Sequence, residues 1–92
     1  MEMADQRYRR VADVVHAQVE KDVVALNVEK GTCFGMENVT AEVWNLLSRP
    51  ASLDDICSQL LEIYDVDRDE CRSDITELLD LMRREGLIEI AD

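Results

Sequence analysis

The sequence predicts a small α+β domain in which three β-strands precede three α-helices and a short final strand. Early in the chain, segments rich in β-branched residues are separated by short turns, as in a β-sheet. Further along, apolar residues recur at helical spacing, and each run begins at a residue that can cap a helix. The 92 residues and the 47% hydrophobic content are sufficient for one domain with a small core.

The three predicted strands cover residues 14–20, 23–29 and Thr32–Met36. In the first strand, valine and alanine alternate with polar residues, which is the period of a half-buried strand. The turns between the strands are short, and Gly31 suits the positive φ of a tight turn. Consecutive strands joined by short turns predict an antiparallel meander.

Capping residues divide the next part of the chain into three helices. Asn38 is positioned to cap the first helix, and Trp44 is predicted to anchor its buried face. This helix ends before Pro50, because the residue that precedes a proline avoids the α region. Ser52 and Asp67 are predicted to cap the second and third helices, each with an acidic residue three positions later.

The end of the chain adds a short strand. Gly86 suits the position just after the third helix, where a left-handed residue commonly ends a helix, and residues 87–90 are predicted to form the strand. Helices followed by a glycine and a short strand are typical of a winged helix-turn-helix. We expect residues 1–13 to form a flexible N-terminal lead-in and residues 14–92 to form the folded domain.

The charge of the chain disfavours two classes of partner. With 21 acidic and 10 basic residues, the net charge is −11, whereas phosphate backbones and anionic membranes attract cationic surfaces. The third predicted helix also carries more carboxylates than arginines, which disfavours a winged-helix regulator that binds DNA. We therefore expect neither a nucleic-acid partner nor a membrane partner.

The cysteine content and the hydropathy predict a cytoplasmic protein without a cofactor. Three cysteines with no CxxC pair predict neither a disulfide framework nor a zinc site. No apolar run resembles a signal peptide or a membrane span. Unpaired cysteines are typical of a reducing cytoplasm.

The sequence contains no recognisable catalytic set. His16 is the only histidine, and it falls on a predicted strand without a partner motif. Cys33 lies on the third predicted strand, where no group nearby in the sequence would activate it as a nucleophile. Gly31 and Gly35 do not form a phosphate-binding pattern. We therefore predict a binding module rather than an enzyme.

The third predicted strand, Thr32–Met36, is the strongest candidate for a binding site. If it lies at the edge of the sheet, its free backbone N–H and C=O groups can pair with an extended peptide that adds as a further strand. The alternative interpretation is a short, solvated strand without a ligand. The residue pattern alone does not choose between the two.

From Val14 to its end, the chain resembles the PqqD family, the peptide-recognition elements of ribosomally made peptide natural products (RiPPs). The matching segments, in chain order, are residues 23–27, 31–38, 41–47, 63–66 and 71–75, followed by Leu81 and residues 86–88. Each segment alone is weakly specific, whereas their order and spacing together are specific. Met36 stands where the family more often has leucine.

The resemblance implies a non-catalytic protein that binds the leader segment of a precursor peptide as an added strand on Thr32–Met36. The chain looks most like the discrete leader-binding protein of lasso-peptide clusters. The implied partners are a leader peptidase of the transglutaminase-like cysteine protease type and an ATP-dependent cyclase. The alternative is the pyrroloquinoline quinone branch of the family, which presents a precursor peptide to a radical SAM enzyme.

The resemblance also implies that the leader packs against the third helix. The strand residues expected to contact it are Thr32, Cys33, Phe34, Gly35 and Met36. On the helix, one flank of the apolar stripe is the predicted contact surface: Arg68, Arg72, Ile75, Thr76, Leu79 and Arg83. The opposite flank, with Asp74 and Leu81, is the alternative that the sequence leaves open.

Overall fold

Two three-stranded sheets and three helices make up the computed structural model, which describes residues 6–91. The elements in chain order are β1 (Arg7–Arg10), β2 (Val14–Val19), β3 (Asp22–Asn27), β4 (Thr32–Met36), α1 (Asn38–Leu46), β5 (Ala51–Ser52), α2 (Leu53–Ile63), α3 (Arg68–Arg84) and β6 (Ile88–Ala91). The predicted meander, the three helices and the short terminal strand are confirmed.

The meander is the antiparallel sheet β2-β3-β4, with β3 in the centre. Val23, Ala25 and Asn27 alternate along β3 as buried residues, so that one face of the sheet covers the core. Gly31 adopts a φ of 69° in the turn before β4, as the sequence predicts. The first turn instead places Glu20 at a φ of 61°, a left-handed conformation that is uncommon outside glycine.

The second sheet, β5-β1-β6, contains two strands that were not predicted from the sequence: one before Val14 and one between the first two helices. β1 is its central strand, because Tyr8 pairs with Ala51 on one side and with Ile90 on the other. The arginine-rich β1 segment carries no strand pattern of its own, so that its conformation comes from partners distant in sequence. The domain boundary at residue 13 stays a prediction, and residues 1–5 of the lead-in lie outside the described residues.

Two of the three helices begin at the capping residue that the sequence predicts. Ser52 and Asp55 form a reciprocal capping box, and Asp67 accepts a hydrogen bond from the backbone N–H of Glu70. The prediction for α1 was wrong in one respect: Glu37 is the N-cap, without a side-chain hydrogen bond, and Asn38 is the first helical residue, at a φ of 52°. Short polar side chains such as asparagine tolerate this left-handed geometry.

The core lies between the inner face of the meander and the three helices. Trp44 is fully buried, which confirms it as the anchor of α1. The guanidinium of Arg10 lies 4.4 Å from the centre of the Trp44 ring and donates two hydrogen bonds to the Trp44 carbonyl. This contact ties β1, and with it the second sheet, to α1. No helix among residues 6–91 is long and apolar enough to cross a membrane.

Candidate functional site

β4 lies at an edge of the meander. It pairs with β3 on one side, and no strand among residues 6–91 covers its other side. The side chains of Thr32 and Cys33 are exposed, and Gly35 presents bare backbone. The open side of β4 therefore offers unpaired backbone N–H and C=O groups in the geometry that an additional strand requires.

α3 runs beside β4 in the opposite direction. In the first half of α3, Ile75 lines a cavity together with Val39 of α1, three residues after the end of β4. At the end of α3, the side-chain amide of Asn27 donates a hydrogen bond of 2.7 Å to the carbonyl of Gly86, just before the turn that leads into β4. The end of α3 thus lies near the start of β4, and the first half of α3 lies near the far end of that strand. We call the space between the free edge of β4 and the flank of α3 the groove.

The cavity at one end of this groove has a volume of about 140 Å³ and a largely apolar wall. Its lining residues are Val39, Leu60, Tyr64, Val66, Glu70, Cys71, Asp74 and Ile75. Val66 remains 48% exposed at the rim. An apolar side chain of a bound segment can be buried here, while two carboxylates stand at the same opening.

The predicted strand residues divide by the two faces of the sheet. Phe34 is half-buried and Met36 is 1% exposed, because both share the core-facing side with Ala25 and Val23 of β3. Cys33 and Gly35 point to the outer side. The backbone of all five residues Thr32–Met36 therefore borders the groove, but only some of their side chains point towards it.

Five of the six predicted helix residues do not line this cavity. Leu79 is 1% exposed and belongs to the core, and Arg72 forms an ion pair with Asp54 of α2. The hydroxyl of Thr76 donates a hydrogen bond of 2.6 Å to the Arg72 carbonyl. Arg83 lines a recess with residues of β6.

The other two predicted helix residues, Arg68 and Ile75, lie in different environments. Arg68 is exposed in the first turn of α3, and Ile75 is buried but reaches the cavity. On the other flank, Asp74 lines the cavity, and Asp74, Leu81 and Arg84 line an open recess along the same helix. The cavity and this recess thus lie on the flank that the sequence left as the alternative.

Several cavity residues were not predicted to belong to a site. Val39 and Leu60 are apolar members of helical stripes, and Tyr64 and Val66 follow the end of α2. A helical stripe shows which side chains turn inward, but it does not show which of them meet at a gap between three elements. The 63–66 segment was one of the matching family segments, and that was the available signal.

The chemistry of the buried cysteines does not indicate catalysis. Burial, together with a hydrogen bond with Cys71, raises the pKa of the Cys57 thiol to about 11. Cys57 therefore stays protonated at neutral pH and is a poor nucleophile. Among residues 6–91, no group of three histidine, cysteine, aspartate or glutamate side chains is placed to hold a metal ion.

Comparison with solved structures supports the winged-helix-like fold. A chain described as TbiB1 in complex with the TbiA(beta) leader peptide is 28% identical, with a TM-score of 0.84, over 88% of this chain and 94% of that chain. A lasso peptide synthetase B1 complexed with the leader peptide is 22% identical, with a TM-score of 0.79, over 89% of this chain and 96% of that chain. The second likeness shows the fold alone.

Comparison of sequences identifies the family. A search of curated proteins finds no match. The family model for PqqD, described as coenzyme PQQ synthesis protein D, matches residues 22–88, which include β3, β4, all three helices and the glycine that ends α3. The chain belongs to the PqqD family.

Proposed function

We propose that the protein is a non-catalytic module that captures the leader segment of a ribosomally made precursor peptide in a lasso-peptide pathway. The leader adds as a strand to the free edge of β4 and packs against α3. The observation that carries this proposal is the free edge of β4 beside an apolar cavity, in a fold shared with two chains that are complexed with leader peptides.

Two kinds of contact would hold the leader. Main-chain hydrogen bonds to β4 supply affinity that depends little on leader sequence, and side chains that enter the groove supply specificity. The cavity lined by Val39, Tyr64 and Ile75 suits one apolar leader side chain. On α3, we propose Asp74, Leu78 and Leu81 as the contacts, in place of the flank with Arg72 and Thr76.

We also propose that the protein delivers its leader to a leader peptidase of the transglutaminase-like cysteine protease type, which acts together with an ATP-dependent cyclase. The support is the outer face of the meander, where Val15 is 54% exposed and Val24 and Leu26 are each 39% exposed. The strand register places Val15 beside Leu26 and Leu26 beside Cys33, so that these side chains form one apolar surface. Exposed apolar surfaces of this kind mark protein–protein contacts.

An added leader strand would extend this outer sheet face, because its alternate side chains would point to the same side. The peptidase would then contact the recognition protein and the leader together. We place this step in the cytoplasm, since Cys33, Cys57 and Cys71 are all free thiols.

The decisive experiment is calorimetric titration with a synthetic leader from the precursor encoded beside the protein. We expect saturable binding in the micromolar range or tighter. Thr32→Pro and Cys33→Pro are a matched pair of variants, because both side chains are exposed. The N–H groups of adjacent residues in a strand point to opposite sides, and proline removes the N–H group. One variant removes a bond to β3, and the other removes a donor from the free edge.

The two proline variants separate leader binding from stability. One of them should keep the wild-type Tm and lose leader affinity, while the other should lower the Tm. If the variant with the unchanged Tm binds the leader as well as wild type, strand addition to β4 is excluded. If wild type binds no leader from its own cluster, the protein is not a leader-binding module.

A further inference from the structure

β2 forms a second open edge of the meander. It pairs with β3 on one side, and no strand among residues 6–91 pairs with its other side. Five of its six residues are exposed, and Val15 and Val19 are exposed by 54% and 55%. The meander therefore has a long open edge on the side away from β4, which we call the β2 edge.

The edges of the second sheet carry features that hinder strand pairing, and the β2 edge carries none of them. β5 is only two residues long and follows Pro50, and β6 carries Glu89, which forms an ion pair with Arg9 of β1. β2 has the sequence VVHAQV, without lysine, arginine, aspartate, glutamate, proline or glycine. Natural proteins shorten or charge their edge strands to prevent pairing with other chains. An uncharged edge strand in a protein of net charge −11 is therefore suited to receive a further strand.

The hairpin between β2 and β3 decides which backbone groups face the open side. Val19 pairs with Asp22 across a two-residue turn, and the residues that flank such a turn exchange their hydrogen bonds with each other. Because the bonding direction alternates along a strand, every second residue counted back from Val19 also bonds to β3. The N–H and C=O groups of His16 and Gln18 point instead to the β2 edge. The centre of β2 thus offers two donors and two acceptors to a further strand.

A second copy of β2 fits this edge in the antiparallel direction. With Ala17 of both copies at the twofold axis, His16 of each copy lies opposite Gln18 of the other, and the two residues exchange their open backbone bonds. The same register places Val15 of each copy opposite Val19 of the other. These valines form an apolar cross-strand pair on each side of the axis.

The same register makes the flanks of the two strands complementary in charge. Asp13, just before β2, comes next to Lys21 of the second copy, just after β2, and the twofold axis produces this contact twice. Both side chains are exposed, and neither takes part in the ion pairs found in the described part of the chain. A shift of the register by two residues in either direction separates the opposite charges and the valines. The complementarity therefore selects one register and favours a second copy as the occupant.

We propose that the β2 edge is a self-association site, at which two copies of this chain pair through β2 into one six-stranded sheet. The strand order of that sheet is β4-β3-β2-β2-β3-β4, so both β4 edges lie at its ends and stay open. The dimer therefore does not depend on the leader binding proposed above. Two six-residue strands make a small interface, and the net charge of −11 on each copy opposes association. We expect a weak dimer that is populated at roughly 100 μM protein.

The experiment is sedimentation equilibrium of the full chain without leader, up to about 500 μM protein, on wild type, Gln18→Pro and Gln18→Thr. Both variants lose the side-chain hydrogen bond from Gln18 to Asn45, but only proline removes the N–H group that faces the β2 edge. An edge strand tolerates proline where its N–H faces solvent. We expect Gln18→Thr to dimerise like wild type and Gln18→Pro to dimerise at least about tenfold more weakly, with similar melting temperatures for the two variants.

A second set of variants tests the register without changing the strand itself. Lys21→Glu places like charges together twice and should weaken the dimer about tenfold. The exchange Asp13→Lys/Lys21→Asp keeps the net charge and should restore the dimer to within about threefold of wild type. This set decides the question if Gln18→Pro fails to fold.

Four results would overturn the proposal: a wild type that stays monomeric, a folded Gln18→Pro that dimerises like wild type, a Gln18→Thr that loses the dimer, or a Lys21→Glu without effect. A dimer that Val24→Thr/Leu26→Thr abolishes would contradict it as well, because this variant alters the outer sheet face on β3 and leaves the β2 edge intact. A monomeric wild type that binds the leader peptidase, with binding lost in Gln18→Pro, would assign the β2 edge to that enzyme. Leader titration of Gln18→Pro should give the wild-type affinity, since β4 is unchanged.

Discussion

Asn27 shows how one buried polar residue sets the geometry of the groove. It is 4% exposed, and its side chain joins three parts of the chain. Its amide donates to the carbonyl of Gly86, while its Oδ1 accepts the backbone N–H of Lys30 at 2.9 Å. Gly86 has no room for a side chain there, since an added Cβ would lie 2.7 Å from the Asn27 amide nitrogen. Asn27, together with the Lys30 ammonium that donates to the Arg84 carbonyl at 3.5 Å, therefore holds the end of α3 at the turn before β4.

We predict that Asn27→Ala lowers the free energy of unfolding by about 1–3 kcal/mol, because it leaves a carbonyl and an N–H without their partner. Leader affinity should fall as well, since α3 loses the buried one of its ties to the turn before β4. Urea denaturation and leader titration measure the two effects. Asn45→Ala is the control: Asn45 is exposed and accepts one hydrogen bond from Gln18, so a change above about 0.5 kcal/mol there would contradict the argument from burial.

Cys57 makes the stability of the protein depend on pH in the alkaline range. Its pKa is raised from 9.0 to about 11, so the folded state holds the proton of this thiol where the unfolded state loses it. The stabilisation is complete below pH 9 and is lost as the pH rises from 9 to about 11. Urea denaturation of wild type and Cys57→Ala across this pH range should show a smaller loss of unfolding free energy in the variant. An identical loss in both proteins would contradict the assignment.

At the scale of elements, β1 has the largest structural role that the sequence did not indicate. It is the central strand of the second sheet, and Arg10 anchors it to α1 through the Trp44 ring and carbonyl. The edge of His16 meets the same ring, with centroids 5.5 Å apart. The N-terminal segment therefore supports the helix that follows β4, and through it the wall of the cavity.

We predict that Arg10→Ala destabilises the protein by about 1–3 kcal/mol, because the Trp44 carbonyl loses a charged donor and the ring loses its cation. Arg7→Ala, on the same strand but exposed, should change stability by less than about 0.5 kcal/mol. Thermal and urea unfolding monitored by Trp44 fluorescence measure both. Equal effects of the two substitutions would show that Arg10 contributes no more to the stability of the fold than an exposed arginine of the same strand.

At the scale of the whole molecule, two surfaces on opposite sides of β4 serve different partners in our proposal. The groove towards α3 takes the leader, and the outer sheet face takes the processing enzyme. β4 lies between them as shared backbone, so that a bound leader would connect the two surfaces. In this proposal, the protein acts as an adaptor between the leader and the processing enzyme.

The outer face can be tested separately from the groove. The triple variant Val15→Thr/Val24→Thr/Leu26→Thr removes apolar surface while keeping residues that favour strands. We expect unchanged leader affinity and at least about a tenfold loss of affinity for the leader peptidase of the same gene cluster, from loss of apolar burial of roughly 2 kcal/mol or more. Calorimetry with purified peptidase, in the presence of the leader, measures the loss.

Ile63→Thr is the control for the outer face, because Ile63 is 56% exposed but belongs to α2 rather than to the strands of that face. It should leave peptidase binding unchanged. If the triple variant binds the peptidase as tightly as wild type, the outer face is not the docking surface. Sedimentation of wild type alone provides a second measurement, since a dimer that the triple variant abolishes would assign the face to self-association instead.

Sequence alone determined the elements whose signals are local. β-branched alternation and short turns predicted the meander, Ser52 and Asp67 predicted two helix starts, and Gly86 predicted the end of α3, where its φ is 76°. These signals work because capping, turn geometry and strand periodicity each depend on residues a few positions apart. The resemblance to the PqqD family, later matched by its family model, rested on the same kind of ordered local pattern.

Only the tertiary structure decided what depends on distant residues. The strand character of Arg7–Arg10 comes from pairing with residues more than forty positions away. Helical periodicity assigned Ile75 and Leu79 to one stripe, but it could not tell that Arg72 pairs with Asp54 of α2 whereas Asp74 lines the cavity. Which side of a helix meets which neighbour is fixed by packing, and packing joins parts of the chain that local patterns do not connect.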